Sequence, residues 1–427
     1  MNNINCATTQ DCNVSGDSSA DRLNRDCFCT TLNRDQLNRV LQADDINHTF
    51  LATHPQLFSN TTVFISPEQF QKMREIIQAV TRVVNLPDYA EQILAHSPSI
   101  AAYSPGTAGV FMGYDFHLST QGPKIIEINT NAGGAFLNSV LVDAQTECCR
   151  AAGILLPQLK AHIDEQFMAM FLNEWRLQRG DKLLVTIAII DKNPQQQFLY
   201  PEFKIAQRLF ENHGITAIIA DPTELQFINN QISYKGQVID LIYNRLTDFL
   251  LDEPQHSTLR KAYEMGAVVV TPNPHHYAFY ADKRNLVVLS DPSSLKNIAA
   301  NDIAILQAGI PQTQNVTAEN SSDLWQSRKH LFFKPVLGFG SRAAYRGDKL
   351  TKRVWSEILQ GDYVAQHIVP PSERGLIVDK QATTLKMDIR AYVYAGEIQL
   401  LAARLYNGQT TNFRTNGGGF APVFIVG

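Results

Sequence analysis

The sequence is poor in cysteine and contains no long apolar run. Its 427 residues include six cysteines, and no CxxC pair is followed by an HxxxH. A zinc site is therefore not predicted, and we expect the thiols to be reduced. No apolar segment reaches the roughly 20 residues that cross a bilayer, and the polar N-terminus lacks the basic-then-apolar pattern of a signal peptide. We expect a cytoplasmic protein without a membrane partner.

Neither sign of charge predominates. The chain carries 37 basic and 41 acidic residues, for a formal net charge of −4. Such a balance gives no electrostatic reason to expect nucleic acid as a partner. The length and the hydrophobic content of 44% are sufficient for two or three packed domains.

The most informative stretch is KIIEINTNAGGAF, residues 124–136. Its apolar residues predict a short buried strand, but Glu127 interrupts them, and a buried carboxylate is costly unless it is paired or bound to a metal. Asn129 points to the same face of such a strand as Glu127. Upstream, Asp115 lies in GYDFHLSTQGPK, which predicts the first strand of a hairpin.

Carboxylate and amide oxygens are the ligands that Mg²⁺ takes together with phosphate oxygens. We therefore predict a magnesium site at Asp115, Glu127 and Asn129. An exposed glutamate at the end of a strand is the alternative that these residues leave open. The following loop, with Asn131, Gly133 and Gly134, allows backbone N–H groups to approach a ligand.

The rest of the chain changes from helical to alternating patterns. We expect residues 1–20 to be disordered and residues 32–101 to be mainly helical. Between 160 and 272, helices alternate with predicted strands at 183–190, 216–220, 240–244 and 267–271. This alternation predicts a parallel sheet, whose ligands bind beyond the carboxyl ends of the strands.

Arg245 follows one of these strands directly. A guanidinium group in that position suits a carboxylate or a phosphate. An ion pair with Asp248 is an equally simple explanation of the same residue.

The C-terminal region contains strands, glycine loops and isolated cations. A strand at 331–334 ends in Lys334 and leads into a loop with Gly338, Gly340 and Ser341, whose N–H groups can surround phosphates. Strands at 363–369, 388–394 and 398–404 follow, and Arg390 and Arg404 interrupt the apolar residues of the last two. These features predict a polyphosphate site.

The order of these motifs resembles the nucleotide half of the ATP-grasp carboxylate–amine ligases, such as the glutathione and glutathionylspermidine synthetases. The motifs are Lys-Pro-x-x-Gly-x-Gly-Ser, YVAQ, DIR, AAR, Asn412 and GGG. In that family the magnesium-binding Asp and Glu-x-Asn come next, whereas here they lie about three hundred residues earlier. The resemblance therefore implies an α/β (α+β) chain with a circularly permuted ATP-grasp-type fold and a parallel-sheet substrate-side domain. It also implies that the hairpin completes one sheet with the strands at 331–334, 363–369, 388–394 and 398–404.

The resemblance also implies a role for each matching residue. ATP is expected to bind Lys283, Lys334, Gly338, Gly340 and Ser341 through its phosphates and Gln366, His367 and Ile368 through its base. Arg390 and Arg404 are expected to stabilise the transferring γ-phosphoryl group. Arg245, Asn131, Gly133, Gly134 and Asn412 are expected to bind substrate. Eukaryotic glutathione synthetases carry an acidic residue in the loop after Lys-Pro, whereas the corresponding loop of this chain has none. This difference argues against glutathione synthesis itself.

Four regions are expected, and the resemblance covers the last three of them, roughly residues 101–427. They are a mainly helical segment at 1–100, the permuted metal-binding hairpin and helix at 101–160, a Rossmann-like substrate-side domain at 161–275, and the nucleotide-binding region at 276–427. The expected activity is that of an ATP- and Mg²⁺-dependent ligase acting on a small acid and an amine or thiol. A small-molecule kinase and an inactive nucleotide-binding protein are the alternatives, and a homodimer is left open.

Overall fold

The computed structural model of the chain describes residues 20–43, 50–144, 160–338, 340 and 343–427. Three predictions therefore fall wholly or largely outside the described residues: the disordered segment at 1–20, the later part of the helix expected within 101–160, and Ser341. Among the residues that are described, no helix is long and apolar enough to cross a membrane.

The described strands, numbered in chain order, are β1 Val63–Ile65, β2 Met112–Ser119, β3 Gly122–Asn129, β4 Thr186–Ile190, β5 Thr216–Ala220, β6 Leu225–Ile228, β7 Gln231–Tyr234, β8 Gln237–Val238, β9 Leu241–Asn244, β10 Val269–Thr271, β11 Thr313–Asn315, β12 Leu331–Pro335, β13 Tyr345–Arg346, β14 Tyr363–His367, β15 Ser372–Val378, β16 Gln381–Tyr394, β17 Glu397–Tyr406 and β18 Gly419–Ile425. The α-helices are Ala20–Asp26, Arg34–Ala43, Phe50–Thr53, Pro67–Val84, Pro87–Leu94, Ala135–Asp143, Lys160–Arg179, Tyr200–Asn212, Ser257–Glu264, Pro274–His276, Asn285–Ser290, Ala300–Gly309, Ser321–Ser327 and Lys352–Gln360.

The largest sheet has the strand order β1-β18-β17-β16-β2-β3, and β15 pairs with the first half of β16. The predicted hairpin, β2 and β3, is thus joined to strands that lie about 270 residues later in the chain. In the register of the sheet, Asp115 is opposite Glu127 on one side and Arg390 on the other. This pairing brings the acids of the N-terminal half to the arginines of the C-terminal half.

A second, antiparallel sheet has the order β11-β14-β12-β13. It contains the strands that carry Lys334 and Gln366. We expected these strands to share one sheet with β16 and β17, and this expectation was wrong. The chain forms two separate sheets here, so that the two groups of strands face one cavity from different sides.

The third sheet is parallel, with the order β10-β9-β4-β5, as the alternating pattern predicts. The main-chain N–H of Arg245 donates to the carbonyl oxygen of Ile190 at 2.9 Å. Asp191 and Arg245 therefore follow neighbouring strands side by side. The strand predicted from residue 183 begins at Thr186 instead, because Leu183 and Val185 are exposed.

Helices cover the sheets through regular apolar faces. Pro67–Val84 begins at a capping box in which the Ser66 hydroxyl accepts the Gln69 N–H and the Gln69 side chain accepts the Ser66 N–H. Its buried residues, Met73, Ile76, Ile77 and Val80, pack in the same core as β2 and β3. Pro87 is the first residue of the next helix, where a missing N–H costs nothing.

Several short elements were not predicted. The N-terminal helical region contains β1, which pairs in parallel with β18, and the GGG segment leads into β18 instead of a loop. A small sheet of β6, β7 and β8 lies between β5 and β9 in the sequence. These strands are short or glycine-flanked, so their apolar periodicity is too brief to be recognised.

Candidate active site

One cavity of about 610 Å³ collects nearly all of the predicted site residues. Its walls are the large sheet, the β12–β14 side of the antiparallel sheet and the carboxyl ends of β4 and β9. All predicted residues line it except Gly134 and Asn412, and except Ser341, which lies outside the described residues. A volume of this size is typical of small-molecule sites.

The floor of the cavity is a buried ion-pair cluster on β2, β16 and β17. Asp115 accepts from Arg390 Nε and Nη2 at 2.7 Å each and lies 2.8 Å from Arg404 Nη2. Burial raises the pKa of the Asp115 carboxyl, but the two guanidinium groups outweigh burial and hold this pKa at about 2. The carboxylate therefore remains charged and fixes both arginines on the cavity side of the sheet.

Arg404 has a second acid behind it. Its Nε donates to Asp388 Oδ1 at 2.7 Å, and the hydroxyl of Thr411 donates to the other oxygen of the same carboxylate. Asp388 is 1% exposed, and it lies two residues before Arg390 on the same face of β16. Asp388 thus positions Arg404, a role that sequence reasoning missed. The two-residue spacing in DIR does indicate that Asp388 lies on the same face of the strand as Arg390.

Two lysines approach from the opposite wall. Lys334 Nζ donates to the carbonyl oxygen of Ile126 at 2.6 Å and to Gln366 Oε1 at 2.8 Å. Burial lowers the pKa of Lys334 to about 8, although the Glu127 carboxylate partly opposes this effect. Lys283 Nζ lies 3.3 Å from Glu127 Oε1 and donates to the Gly338 carbonyl at 3.0 Å. Gly338 and Gly340 line the same side of the cavity.

The predicted magnesium ligands lie on adjacent strands, but their surroundings differ. Asp115 has both oxygens engaged by guanidinium groups, and Asn129 Nδ2 donates to one of them at 3.2 Å. The Glu127 side chain is 29% exposed, and its carboxylate is paired with Lys283. Within the described residues, no three His, Cys, Asp or Glu side chains are grouped as a complete metal site.

This donor set suits a metal that is shared with phosphate. The Glu127 carboxylate and the Asn129 amide oxygen are hard donors on one face of β3, and Mg²⁺ commonly takes one or two such groups plus phosphate oxygens and water. The two residues therefore fit Mg²⁺ in the presence of a nucleotide. The role of Asp115 as a further ligand stays a prediction.

Arg245 faces the cavity from the parallel sheet. It is 7% exposed, its Nη2 lies 3.8 Å from the buried Glu202 carboxylate, and its Nε has no hydrogen-bond partner among the described residues. The alternative partner, Asp248, is instead paired with His256 at 2.6 Å. A buried guanidinium N–H that lacks a partner beside a cavity suits a carboxylate ligand.

Asp191 lies beside Arg245 and was not predicted as a site residue. It lines the cavity at the end of β4, and burial raises the pKa of its carboxyl to about 6 against the opposing effect of Arg245. The sequence does place Asp191 and Arg245 directly after two strands of the predicted parallel sheet, and an acid and an arginine at such positions indicate a site.

The loop after β3 packs against Arg245 and Glu202. The Asn131 amide donates to the carbonyls of Asn244 and Leu246, and the Gly134 N–H donates to Glu202, so both residues join the hairpin to the parallel sheet. A Cβ on Gly133 would collide with Leu199 Cδ1 and lie 3.0 Å from Arg245 Nη2, which explains why glycine fits there. Asn412 donates to the carbonyls of Asn407 and Thr410 inside its own loop, whereas its neighbours Thr411 and Phe413 line the cavity.

Comparison with solved structures defines the class of fold. No protein-family model matches the sequence, and no curated protein matches it significantly. The chain is similar to a glutathione synthetase-like effector, GSS30, from Globodera pallida, with a TM-score of 0.57 at 11% identity over 92% of this chain and 98% of that one. The chain therefore has the ATP-grasp-related, glutathione-synthetase-like fold that the sequence predicts.

Two further likenesses are weaker. A gamma-glutamylcysteine synthetase-like protein from Methylobacillus flagellatus has a TM-score of 0.47 at 8% identity, over 82% of this chain and 84% of that one. The ATP-grasp ligase PsnB, in a complex with its minimal precursor, Mg and ADP, has a TM-score of 0.30 at 13% identity, over 56% of this chain and 87% of that one. The fold assignment rests on the first structure alone, and at its low identity that likeness shows the fold and not the activity.

Proposed function

We propose that the protein is an ATP- and Mg²⁺-dependent ligase that joins a small carboxylic acid to an amine or a thiol. The observation that carries this proposal is that Arg390, Arg404, Lys283 and Lys334 line one cavity with the metal-type donor Glu127. Four cations around one cavity suit a triphosphate, because charge-assisted hydrogen bonds to phosphate are strong in a water-poor site. The glutathione-synthetase-like fold supports the same class of reaction.

In the proposed reaction, the substrate carboxylate is held near Arg245 and attacks the γ-phosphorus of ATP. The bond from that phosphorus to the bridging oxygen breaks, which gives ADP and an acyl phosphate. An amine or thiol then attacks the acyl carbon, and inorganic phosphate leaves. Arg390 and Arg404 offset the charge on the transferring group, and the reaction depends on positioning and charge more than on a protein nucleophile.

Glu127 and Asn129 would hold Mg²⁺ in this proposal, and the metal would supply further neutralisation of the phosphate oxygens. Gln366, His367 and Ile368 would lie along the base of the nucleotide. Arg245 and the Asn131–Gly134 loop would face the acid substrate from the parallel sheet. These assignments divide the cavity into a nucleotide side and a substrate side.

A hydroxylamine-trapping assay tests the reaction class. Amino acids, polyamine conjugates and short peptides are incubated singly with enzyme, ATP, Mg²⁺ and hydroxylamine, which replaces the amine and converts an acyl phosphate to a hydroxamate. We expect at least one acid to give hydroxamate and ADP in equal amounts. ADP release with a phosphorylated acceptor but no hydroxamate would instead indicate a kinase, and nucleotide binding without any ADP release would indicate a binding protein.

A further inference from the structure

His117 is a buried histidine on the nucleotide side of the cavity. It lies two residues after Asp115 on β2, so that both side chains point to the same face of the sheet. The imidazole is 9% exposed and lines the cavity. Its Nδ1 lies 2.7 Å from the carbonyl oxygen of Val369, which follows β14.

This hydrogen bond fixes the tautomer of the ring. A carbonyl oxygen only accepts, so Nδ1 carries the proton of the neutral imidazole. Nε2 is therefore a hydrogen-bond acceptor. It has no partner among the described residues, and a buried polar atom without a partner is unusual in a native protein.

The position of the ring identifies the ligand group that suits this acceptor. Val369 continues the segment Gln366–Ile368, which also lines the cavity and which the resemblance assigns to the base of ATP. Lys283, which is proposed to bind the phosphates, and Glu127, which is proposed to bind Mg²⁺, are paired with each other and not with His117. Lys283 also donates to the Gly338 carbonyl. His117 Nε2 thus lies beside the expected position of the nucleotide base, and a hydrogen-bond donor on that base would satisfy it.

Building on the proposed ATP-dependent function, we propose that His117 Nε2 accepts a hydrogen bond from the exocyclic amino group of adenine. A purine with a carbonyl oxygen at that position would place an acceptor against an acceptor. His117 is therefore the residue that selects adenine over hypoxanthine and guanine.

Calorimetric titration tests this inference without requiring turnover. The titrants are ATP, purine riboside triphosphate, which lacks the amino group, and ITP, which carries an oxygen in its place. The proteins are the wild type, His117→Phe, and a control, His275→Phe, whose histidine also binds a backbone carbonyl, that of Ala101 at 2.7 Å, but does not line the cavity. In the wild type and the control, we expect ATP to bind roughly three- to tenfold more tightly than purine riboside triphosphate, the ratio that one neutral hydrogen bond gives.

In His117→Phe this ratio should fall to about one. Equal affinity of the wild type for ATP and purine riboside triphosphate would overturn the inference even if the variant did not fold. A ratio of ATP affinity to purine riboside triphosphate affinity that is unchanged in His117→Phe would also overturn the inference. So would a loss of affinity in His117→Phe that is absent when deoxyribose nucleotides are the titrants, because Nε2 would then face the ribose. Failure of every nucleotide to bind the wild type would overturn the proposed function, and this inference with it.

Discussion

Asp115 and Arg390 face each other across β2 and β16 and are joined by two hydrogen bonds of 2.7 Å each, although 275 residues separate them in the chain. The same carboxylate lies 2.8 Å from Arg404. One buried acid therefore fixes the two cations that the proposed reaction uses. The pair is both a structural contact between distant parts of the chain and the floor of the site.

Replacing Asp115 by asparagine should destabilise the fold. The substitution leaves two guanidinium groups, each about one-tenth exposed, without their shared charge, and breaking such a buried pair costs about 3–5 kcal/mol. Urea unfolding at pH 7 measures the change, with the exposed Glu357→Gln, whose partner is Arg353, as a control expected to change little. A loss below about 1 kcal/mol for Asp115→Asn would show that this cluster does not hold the sheet.

The same pair has a defined pH dependence. The pKa of Asp115 is about 2 in the folded chain and near 3.8 in the unfolded chain, so the unfolded state binds the proton first as pH falls. Its contribution is complete above about pH 4 and disappears as pH falls towards 2. Asp115→Asn should remove this part of the acid dependence, which unfolding curves from pH 5 to pH 2 will measure.

ATP affinity should fall above about pH 8 because of Lys334. Burial lowers the pKa of this lysine to about 8, and only its protonated form attracts phosphate. Above that pH the charged fraction decreases up to tenfold per unit, and the dissociation constant should rise with it. Lys334→Met should bind ATP more weakly by about 1.5–3 kcal/mol at pH 7.5 and show a flat profile. Calorimetry from pH 7 to 9.5 decides the matter, and a wild-type affinity that stays constant throughout would contradict this assignment.

Glu127→Gln should weaken the effect of Mg²⁺ on ATP binding. The partly exposed carboxylate supplies a charged donor that the amide does not, and its removal also relieves repulsion of metal-free ATP. We therefore expect tighter or equal ATP binding without Mg²⁺ and a smaller gain when Mg²⁺ is added. Mg²⁺ alone should give no measurable heat with the wild type, since its ligands are completed by phosphate. An undiminished Mg²⁺ effect in the variant would place the metal elsewhere.

Arg245→Lys should raise the KM for the acid substrate and leave the ATP dissociation constant unchanged. Lysine keeps the charge opposite Glu202 but loses the planar guanidinium donors, and a charge-assisted contact of this kind is worth about 1.5–3 kcal/mol. That corresponds to a KM increase of roughly 10- to 100-fold. Arg260→Lys, at an ion pair with Asp252 and Glu264, is the matched control. Equal losses of acid and ATP binding would contradict the division of the cavity into two sides.

Much of the architecture could be predicted because its signals are local. The apolar runs that became β4, β5, β9 and β10 alternate with helices, and the parallel sheet follows from that alternation. The β2–β3 hairpin was visible in the sequence because two strand patterns flank the turn residues Gln121-Gly122-Pro123. The brief strand β1 was missed because it is stabilised by β18, about 360 residues away, which no local pattern encodes.

The site was predicted as a set of residues and not as a set of contacts. Asp115, Arg390 and Arg404 were each assigned to a ligand, whereas the structure pairs them with one another. Which charges neutralise each other depends on strand register, and register across 275 residues is not readable from spacing. The sequence alone gives His117 no role, because a single histidine among apolar residues is usually structural. Only its unpaired Nε2 and its place on the face of Asp115 distinguish it.

The most direct test of the account is a crystal structure with a non-hydrolysable ATP analogue and Mg²⁺. We predict a nucleotide in the cavity between the large sheet and β12–β14, with its γ-phosphate within about 3 Å of an N–H of Arg390 or Arg404 and with Lys334 on its other phosphates. Mg²⁺ should lie about 2.1 Å from Glu127 and Asn129 oxygens. A nucleotide bound elsewhere, or a cavity that stays empty at saturating analogue, would contradict the proposed ligase.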